Sequence, residues 1–310
     1  LAVLVCGLLP RQEAQAEAPQ ARTNAPGFYR ILLGQFEITA LSDGTIDLNV
    51  TQLMTNTTPR QAERALARYY LRDPVRSSVN AYLVNTGSKL VLIDAGAAKG
   101  YAPTLGKLID NLRSSGYRPE QVDAVLITHM HGDHIGGIAD GDRPVFPNAV
   151  VHAERREADY WLDPAKMAKA PAEARKFFEG AMAAVGPYAK AGKFRTFEGT
   201  SEIVPGIRAR PARGHTAGHT VFEAESGAEK MAFWGDLMHV AAIQFDDPSV
   251  TIRFDTDSKA AAEQRRKEFA QAAKQGYRVA VAHVSFPGIG RLRAEGKGYR
   301  WIPVNYEPLR

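Results

Sequence analysis

The sequence predicts one α/β domain made of two β-sheets covered by helices, and three observations support it. Short strand-like apolar runs alternate with helix-period runs in both halves of the chain, with no linker between the halves. The 310 residues, 45% hydrophobic and 24% charged, suffice for a sizeable core. The apolar runs also end, repeatedly, in His or Asp, which should gather those residues at one edge of the sheets.

The elements follow in chain order. "LAVLVCGLL" at the start is an apolar run too short to span a bilayer. Followed by "PRQEAQAEAPQ", it reads as the hydrophobic part of a signal peptide. Small-x-small cleavage sites occur at Ala14-Gln15-Ala16 and Ala16-Glu17-Ala18. Residues 1–18 are therefore expected to be removed, and the protein to be periplasmic or secreted. Neither a start Met nor a basic stretch precedes the run, so the precursor is expected to begin further upstream. Cys6, the single cysteine, would leave with the signal peptide, and no disulfide could form. Residues 19–28 read as a linker, and 29–310 as the domain.

"YRILLGQFEITALSDG" alternates as two strands broken at Gly34. Residues 57–72 carry helical spacing at Ala62, Leu66 and Tyr69. "NAYLVN" and "LVLIDAG" flank a hairpin turn, "TGSK". "TLGKLIDNLRSSG" is an amphipathic helix stopped by Gly116. "DAVLIT" is a buried strand leading to His129. A helix-rich insertion is expected over about 152–192. "HTVFEAES" and "KMAFWGD" form a second hairpin. "SKAAAEQRRKEFAQAAKQG" is a helix capped by Asp257 or Ser258 and stopped by Gly276, and "YRVAVAH" is a last strand ending at His283. Net charge is +5 and dispersed. The densest basic stretch, "EQRRKEF" at 263–269, is flanked by acids and reads as a solvated helix face. Neither nucleic acid nor membrane is expected as a partner.

"THMHGDHIGG", residues 128–137, holds His129, His131, Asp133 and His134 within six positions. Zinc takes about four ligands and, when catalytic, leaves one place open. His129 and His131 can grip one ion from the same side of a short turn, whereas Asp133 and His134 lie further round the loop. Two ions are the economical solution, roughly 3.5–4 Å apart as in other two-metal sites. His215 would complete the first set, His283 the second, and Asp236 would bridge. Gly132 and the pair Gly136-Gly137 would let the backbone turn tightly beneath. Asp133 and Asp236, the carboxylates of the set, are the expected catalytic residues.

The His-x-His-x-Asp-His block resembles the metallo-β-lactamase superfamily, and "GHTAGH" and "WGD" follow in that family's order. The resemblance covers nearly the whole chain from about Tyr29. It implies a four-layer αββα sandwich in one domain, with the metals at one edge and the ligand roles just given. It also implies that Asp94 holds the metal loop from behind. His219 is expected to be structural or to support a ligand, and His152 to be structural. Within the superfamily, "RILLGQFEITALSDGT", "GDLMHVAAIQFDDPSV" and "SFPGIGRLRAEGKGYRWIPVNY" resemble the methyl parathion hydrolase group. That likeness implies an exported homodimer and a two-metal hydrolase of phosphotriesters, with relatives acting on lactones and aryl esters.

Two divalent ions, zinc by ligand type, would lower the pKa of a shared water from 15.7 to near 7 and provide hydroxide at neutral pH. With the only cysteine in the expected signal peptide and no G-x-S-x-G elbow, the sequence offers no nucleophile of its own. By resemblance, Trp161 and Phe178 lie over the metals and Tyr101 at another pocket position. His239, Ile252 and Phe254 complete the expected walls. His239 either lines the wall or donates a proton to the leaving oxygen. Phosphotriesterase members resemble this chain less at His239 and Phe254, where they carry smaller residues. The expected substrate is therefore a flat lactone or aryl ester of the dihydrocoumarin kind, with phosphotriesters secondary. A main activity on organophosphates, a β-lactamase, a nuclease and a zinc-binding protein without catalysis are the alternatives.

Overall fold

The computed structural model describes residue 18 and residues 20–309. The apolar run and the expected cleavage sites lie outside the described residues, Ala18 excepted. Two seven-stranded sheets form from Phe28 onward. The first, in spatial order, is Phe28–Leu33, Phe36–Leu48, Val75–Asn85, Leu90–Ile93, Ala124–Leu126, Val150–Glu154 and Phe194–Phe197. The second is Ser201–Val204, Ile207–Pro211, Thr220–Ser226, Glu229–Phe233, Arg278–Ala280, Ile289–Glu295 and Gly298–Pro303.

Strand periodicity sorts the core into three layers. Ala81, Leu83, Leu90 and Leu92 point outward onto the helices Leu108–Ser114, Arg155–Trp161 and Ala172–Lys190. Their neighbours Tyr82, Val84, Val91 and Ile93 point inward and meet Phe222, Met231 and Phe233 of the second sheet. Val221, Ala232 and Val279 face outward again, onto Phe269 and Ala272 of helix Ser258–Gln275. The result is helix, sheet, sheet, helix, as expected. Each fully buried Leu, Ile, Val or Phe contributes about 1.5–3 kcal/mol.

Most pairings are antiparallel, but four are parallel. Leu90–Ile93, Ala124–Leu126, Val150–Glu154 and Phe194–Phe197 run parallel, as do Glu229–Phe233 and Arg278–Ala280. Parallel strands finish at the same edge, where open α/β sheets place their ligands. Asp94, His129, Asp236 and His283 all follow such strands within a few residues.

Several boundaries differ from the sequence expectation, each for a local reason. The helix predicted from Thr104 begins at Leu108, because Gly106 with φ +83° breaks its first turn. Residues 152–154 still belong to a strand, and the helices of the insertion occupy Arg155–Lys190. Tyr69 is half exposed, beyond the end of helix Pro59–Ala67. Helix Ser258–Gln275 is capped by Asp257, which accepts from the Ala260 N–H, and ends on left-handed Gly276.

The "EQRRKEF" stretch is a correction. It is not wholly solvated, since Arg265, Glu268 and Phe269 are fully buried. Residues three and four apart share a helix face, so Arg265, Glu268, Phe269 and Ala272 form the inward stripe. Arg265 survives there because its guanidinium donates to the carbonyls of Leu237, Pro248 and Val250 at 2.7, 3.1 and 2.6 Å. Glu268 is paired with Arg210. Among the described residues, no helix is long and apolar enough to cross a membrane.

Candidate metal centre

Seven side chains from both sheets meet at this edge. His129, His131, His215 and Asp236 offer ligand atoms all within 4.8 Å of one another, as do Asp133, His134 and His283. The two carboxylate oxygens of Asp236 face different partners. Oδ1 lies 3.0 Å from Nε2 of both His134 and His283. Oδ2 lies 3.3 Å from His215 Nε2 and 3.5 Å from His129 Nε2. His131 Nδ1 is 3.1 Å from His215 Nε2. Bonds of about 2.0–2.1 Å to a tetrahedral ion put two ligands about 3.3–3.4 Å apart, so this spacing suits ligands of a common ion.

The ring tautomers fit the same purpose. His134 Nδ1 faces Asp94 Oδ2 at 2.8 Å, His215 Nδ1 faces Asp255 Oδ1 at 2.9 Å, and His283 Nδ1 faces the Ser78 carbonyl at 2.8 Å. An acceptor at Nδ1 keeps the proton there and turns the Nε2 lone pair inward, the outer support common to metal-binding histidines. The inward atoms His129 Nε2, His134 Nε2 and Asp236 Oδ1 are buried and make no aligned hydrogen bond. Buried polar atoms are seldom left so. Divalent cations therefore fit the donors present here.

Charge is organised around Asp236. Burial pushes its carboxyl up, but His134, His283, His239 and His129 outweigh that and hold it well below the usual range. Burial drives His129 and His131 well below the ordinary imidazole value, helped by His134 and His215 respectively. Against burial, Asp236 and Asp133 raise both His134 and His283. Against burial too, Asp236 and Asp255 lift His215 to about 9. An entering cation must displace the proton that His215 holds at neutral pH. Zinc affinity should therefore rise with pH up to about 9 and weaken as pH falls below it, with protons released on binding. Calorimetric titrations in buffers of different ionisation enthalpy check this, and a pH-independent affinity would contradict it.

The supporting residues include some the sequence did not single out. Asp94 accepts from the Thr128 N–H and hydroxyl, both at 2.8 Å, and so ties the start of the metal loop to His134. His219 is satisfied on both nitrogens. Its Nδ1 meets the Ala212 carbonyl at 3.1 Å, and its Nε2 accepts the Asp236 N–H at 3.1 Å. Glu157 is buried and accepts from the N–H groups of Met130, Gly218 and the Trp161 indole at 2.8–2.9 Å. It fastens both ligand loops to one helix. Its only sequence signal is the i, i+4 spacing to Trp161. Asp255, the orienter of His215, is one of two acids in "FDTDS", with nothing to mark it. A Cβ at Gly137 would run into the Ala95 carbonyl, so that glycine permits close packing of two loops.

The expected walls are only partly at the site. Trp161 stands edge-on to His131, with ring centroids 5.4 Å apart. Phe178 does not face the cluster. It is buried behind Trp161 at 4.8 Å, and Phe177 instead lies 5.8 Å from His131. Consecutive helical residues point about 100° apart, so only one of the pair can face the ligands. Ile252 is likewise core, packed with Leu48, Met54 and Val240. Phe254 is 38% exposed, its ring 6.2 Å from His239. Tyr101 covers Gly132, and its hydroxyl is pushed up to about 12 by burial, Asp133 and Asp236. It therefore stays neutral at the rim. A separate cleft of about 720 Å³ lies at the opposite strand ends, by Glu229 and Arg278, and its lining contains no histidine.

Residues 74–283 match the family model described as the Metallo-beta-lactamase superfamily. The chain is similar to a solved structure described as hydrolase AbOPH in the beta lactamase superfamily. Identity is 39% and the TM-score 0.88, over 92% of this chain and 100% of that one. It is also similar to AidC, a dizinc quorum-quenching lactonase solved with the product N-hexnoyl-L-homoserine. There identity is 27% and the TM-score 0.84, over 91% and 99% of the two chains. Among curated proteins it is 29% identical to the atrochrysone carboxyl ACP thioesterase of Passalora fulva, over 136 residues and 43% of this chain. The chain spans 39% of that relative's length, and 18% of the Aspergillus niger lactamase-like protein adaB.

Proposed function

Since the chain belongs to the metallo-beta-lactamase superfamily, we propose that it is a two-metal hydrolase of small apolar lactones or aryl esters, of the methyl parathion hydrolase-like group. The observation that carries this is Asp236, whose two oxygens face two separate histidine sets. His129, His131 and His215 would hold one ion, and Asp133, His134 and His283 the other, with Asp236 between them. Bound there, divalent ions, zinc by donor type, supply the Lewis acidity that activates water and polarises an acyl or phosphoryl oxygen.

The chain's own residues do the rest. Asp94, Asp255 and the Ser78 carbonyl fix the imidazole tautomers, so the ligand lone pairs are aimed before substrate arrives. Trp161 and Phe177 pack beside His131, and Phe254 and Tyr101, both partly exposed, would stand where a substrate enters. Aromatic walls suit a flat apolar ring. The bulk of Phe254 and His239 leaves less width for a tetrahedral phosphorus with three substituents. The lactonase among the similar solved structures supports the same choice. Export and a homodimeric state belong to this proposal as well.

The test is a pair of rates on zinc-loaded protein, with a chelated control. The kcat/KM for dihydrocoumarin is expected to exceed that for methyl paraoxon by about 100-fold or more, the ~3 kcal/mol scale of a shape-selective pocket. A phosphotriester that wins would overturn the account of the walls but leave a metal hydrolase. No turnover of either above the control would remove the hydrolase proposal itself.

A further inference from the structure

His239 is unlike every other histidine of the cluster. The rings of His134, His215 and His283 each direct Nδ1 to an acceptor outside the cluster, and His219 is satisfied on both sides. His239 is 3% exposed, and both its nitrogens lack an aligned hydrogen-bond partner. Its Nε2 nevertheless sits 3.0 Å from Asp236 Oδ2, closer than His215 or His129. Its ring lies nearly parallel to that of His283, with centroids 5.3 Å apart. Ligand atoms of Asp236, His239 and His283 all fall within 4.8 Å of one another.

A residue that only formed a wall would not need to bury two unpaired ring nitrogens, which is costly. A hydrogen bond to Asp236 would relieve one of them, but the contact has the distance without the alignment. Close approach without alignment is what two ligands of a common ion show, since both aim at a third point. The backbone is fixed as well. Gln244 Oε1 accepts from the N–H of both His239 and Val240, and Gln244 in turn donates to the Val250 carbonyl.

We propose that His239 is a direct ligand of the metal centre, an eighth one, sharing an ion with Asp236. The inference rests on the two-metal reading above and extends it. Such a ligand would take up coordination space on the substrate side, so an incoming oxygen would have to share the ion with His239 or displace it.

The test uses the full chain and cobalt as well as zinc. In His239→Leu, with the far-ultraviolet spectrum unchanged, the affinity for one of two zinc ions should fall about 100-fold or more in chelator competition. Proton spectra of the cobalt protein should lose one strongly shifted imidazole resonance, and the visible cobalt bands should shift. His239→Gln, which keeps a polar side chain, is measured in the same way in case the leucine variant does not fold. Wild-type affinities and an unchanged set of shifted resonances in either folded variant would overturn the inference, whatever happens to turnover. If the wild-type chain itself takes up fewer than two ions, the two-metal reading fails and this inference fails with it.

Discussion

Asp236→Ala is expected to lower kcat/KM for a lactone by at least about 10³-fold, and to leave the protein with fewer than two tightly held zinc ions. The reason is electrostatic as much as geometric. Asp236 is buried, and four imidazoles hold it in its anionic form. Its two oxygens lie within 3.5 Å of His129, His134, His215 and His283. Without the carboxylate, five or more imidazoles converge on two cations with one fewer negative charge between them. A loss of about 4 kcal/mol from the transition state corresponds to the expected 10³-fold, at 1.36 kcal/mol per tenfold. Asp236→Asn separates the two contributions, since it keeps the shape and removes the charge. It should lose metal nearly as badly as alanine. Elemental analysis with steady-state rates decides the matter, and full occupancy with unchanged activity after Asp236→Ala would sink the bridging role.

Arg265→Met is expected to destabilise the fold by about 3–5 kcal/mol, the range for breaking a buried charged network by removing one partner. Arg265 is fully buried, and burial pulls its guanidinium down to about 10. It remains charged at neutral pH and holds three carbonyls. One belongs to Leu237, next to Asp236, and two to the 248–250 segment that leads to Phe254. Methionine fills much of the volume but leaves the Leu237 and Pro248 carbonyls without this donor, and the Val250 carbonyl with Gln244 alone. Arg265→Lys should recover only part of the loss, because an ammonium group cannot present the planar fork that reaches all three. Thermal and denaturant unfolding measure the cost. An Arg265→Met protein as stable as wild type would show that the buried cation is dispensable.

The layered fold was legible in the sequence because strand alternation and helix period are local properties. Tyr82 and Leu83 differ in facing by one register step, and that step is written in the sequence. The metal-suited loop was legible because four of the residues it brings to the cluster lie within six positions. What escaped was what tertiary context decides. Nothing in "KFFEG" distinguishes Phe177 from Phe178 as the ring that faces His131. The charged run around Arg265 looks solvated until the carbonyls that receive the guanidinium come together from 237, 248 and 250. Glu157 and Asp255 carry out their supporting roles through backbone groups and a ring distant in sequence, and neither sits in a recognisable pattern. Ile252 was expected in a wall because it follows "FDDPSV", but it packs into the core with Leu48, Met54 and Val240.

The cluster draws His129 to His134 from a loop of the first sheet, and His215, Asp236 and His283 from the second. The span from His129 to His283 covers half of the chain. A cation held by both groups acts as a cross-link with a very long loop, of the kind whose closure most restricts an unfolded chain. It can form only after the two sheets have docked, so it comes late in folding and adds its binding free energy to the docked state alone. Metal retention is then a readout of the whole tertiary structure. A substitution anywhere in the inter-sheet layer, at Phe222 or Val91 as readily as at a ligand, should first show itself as faster loss of the ion.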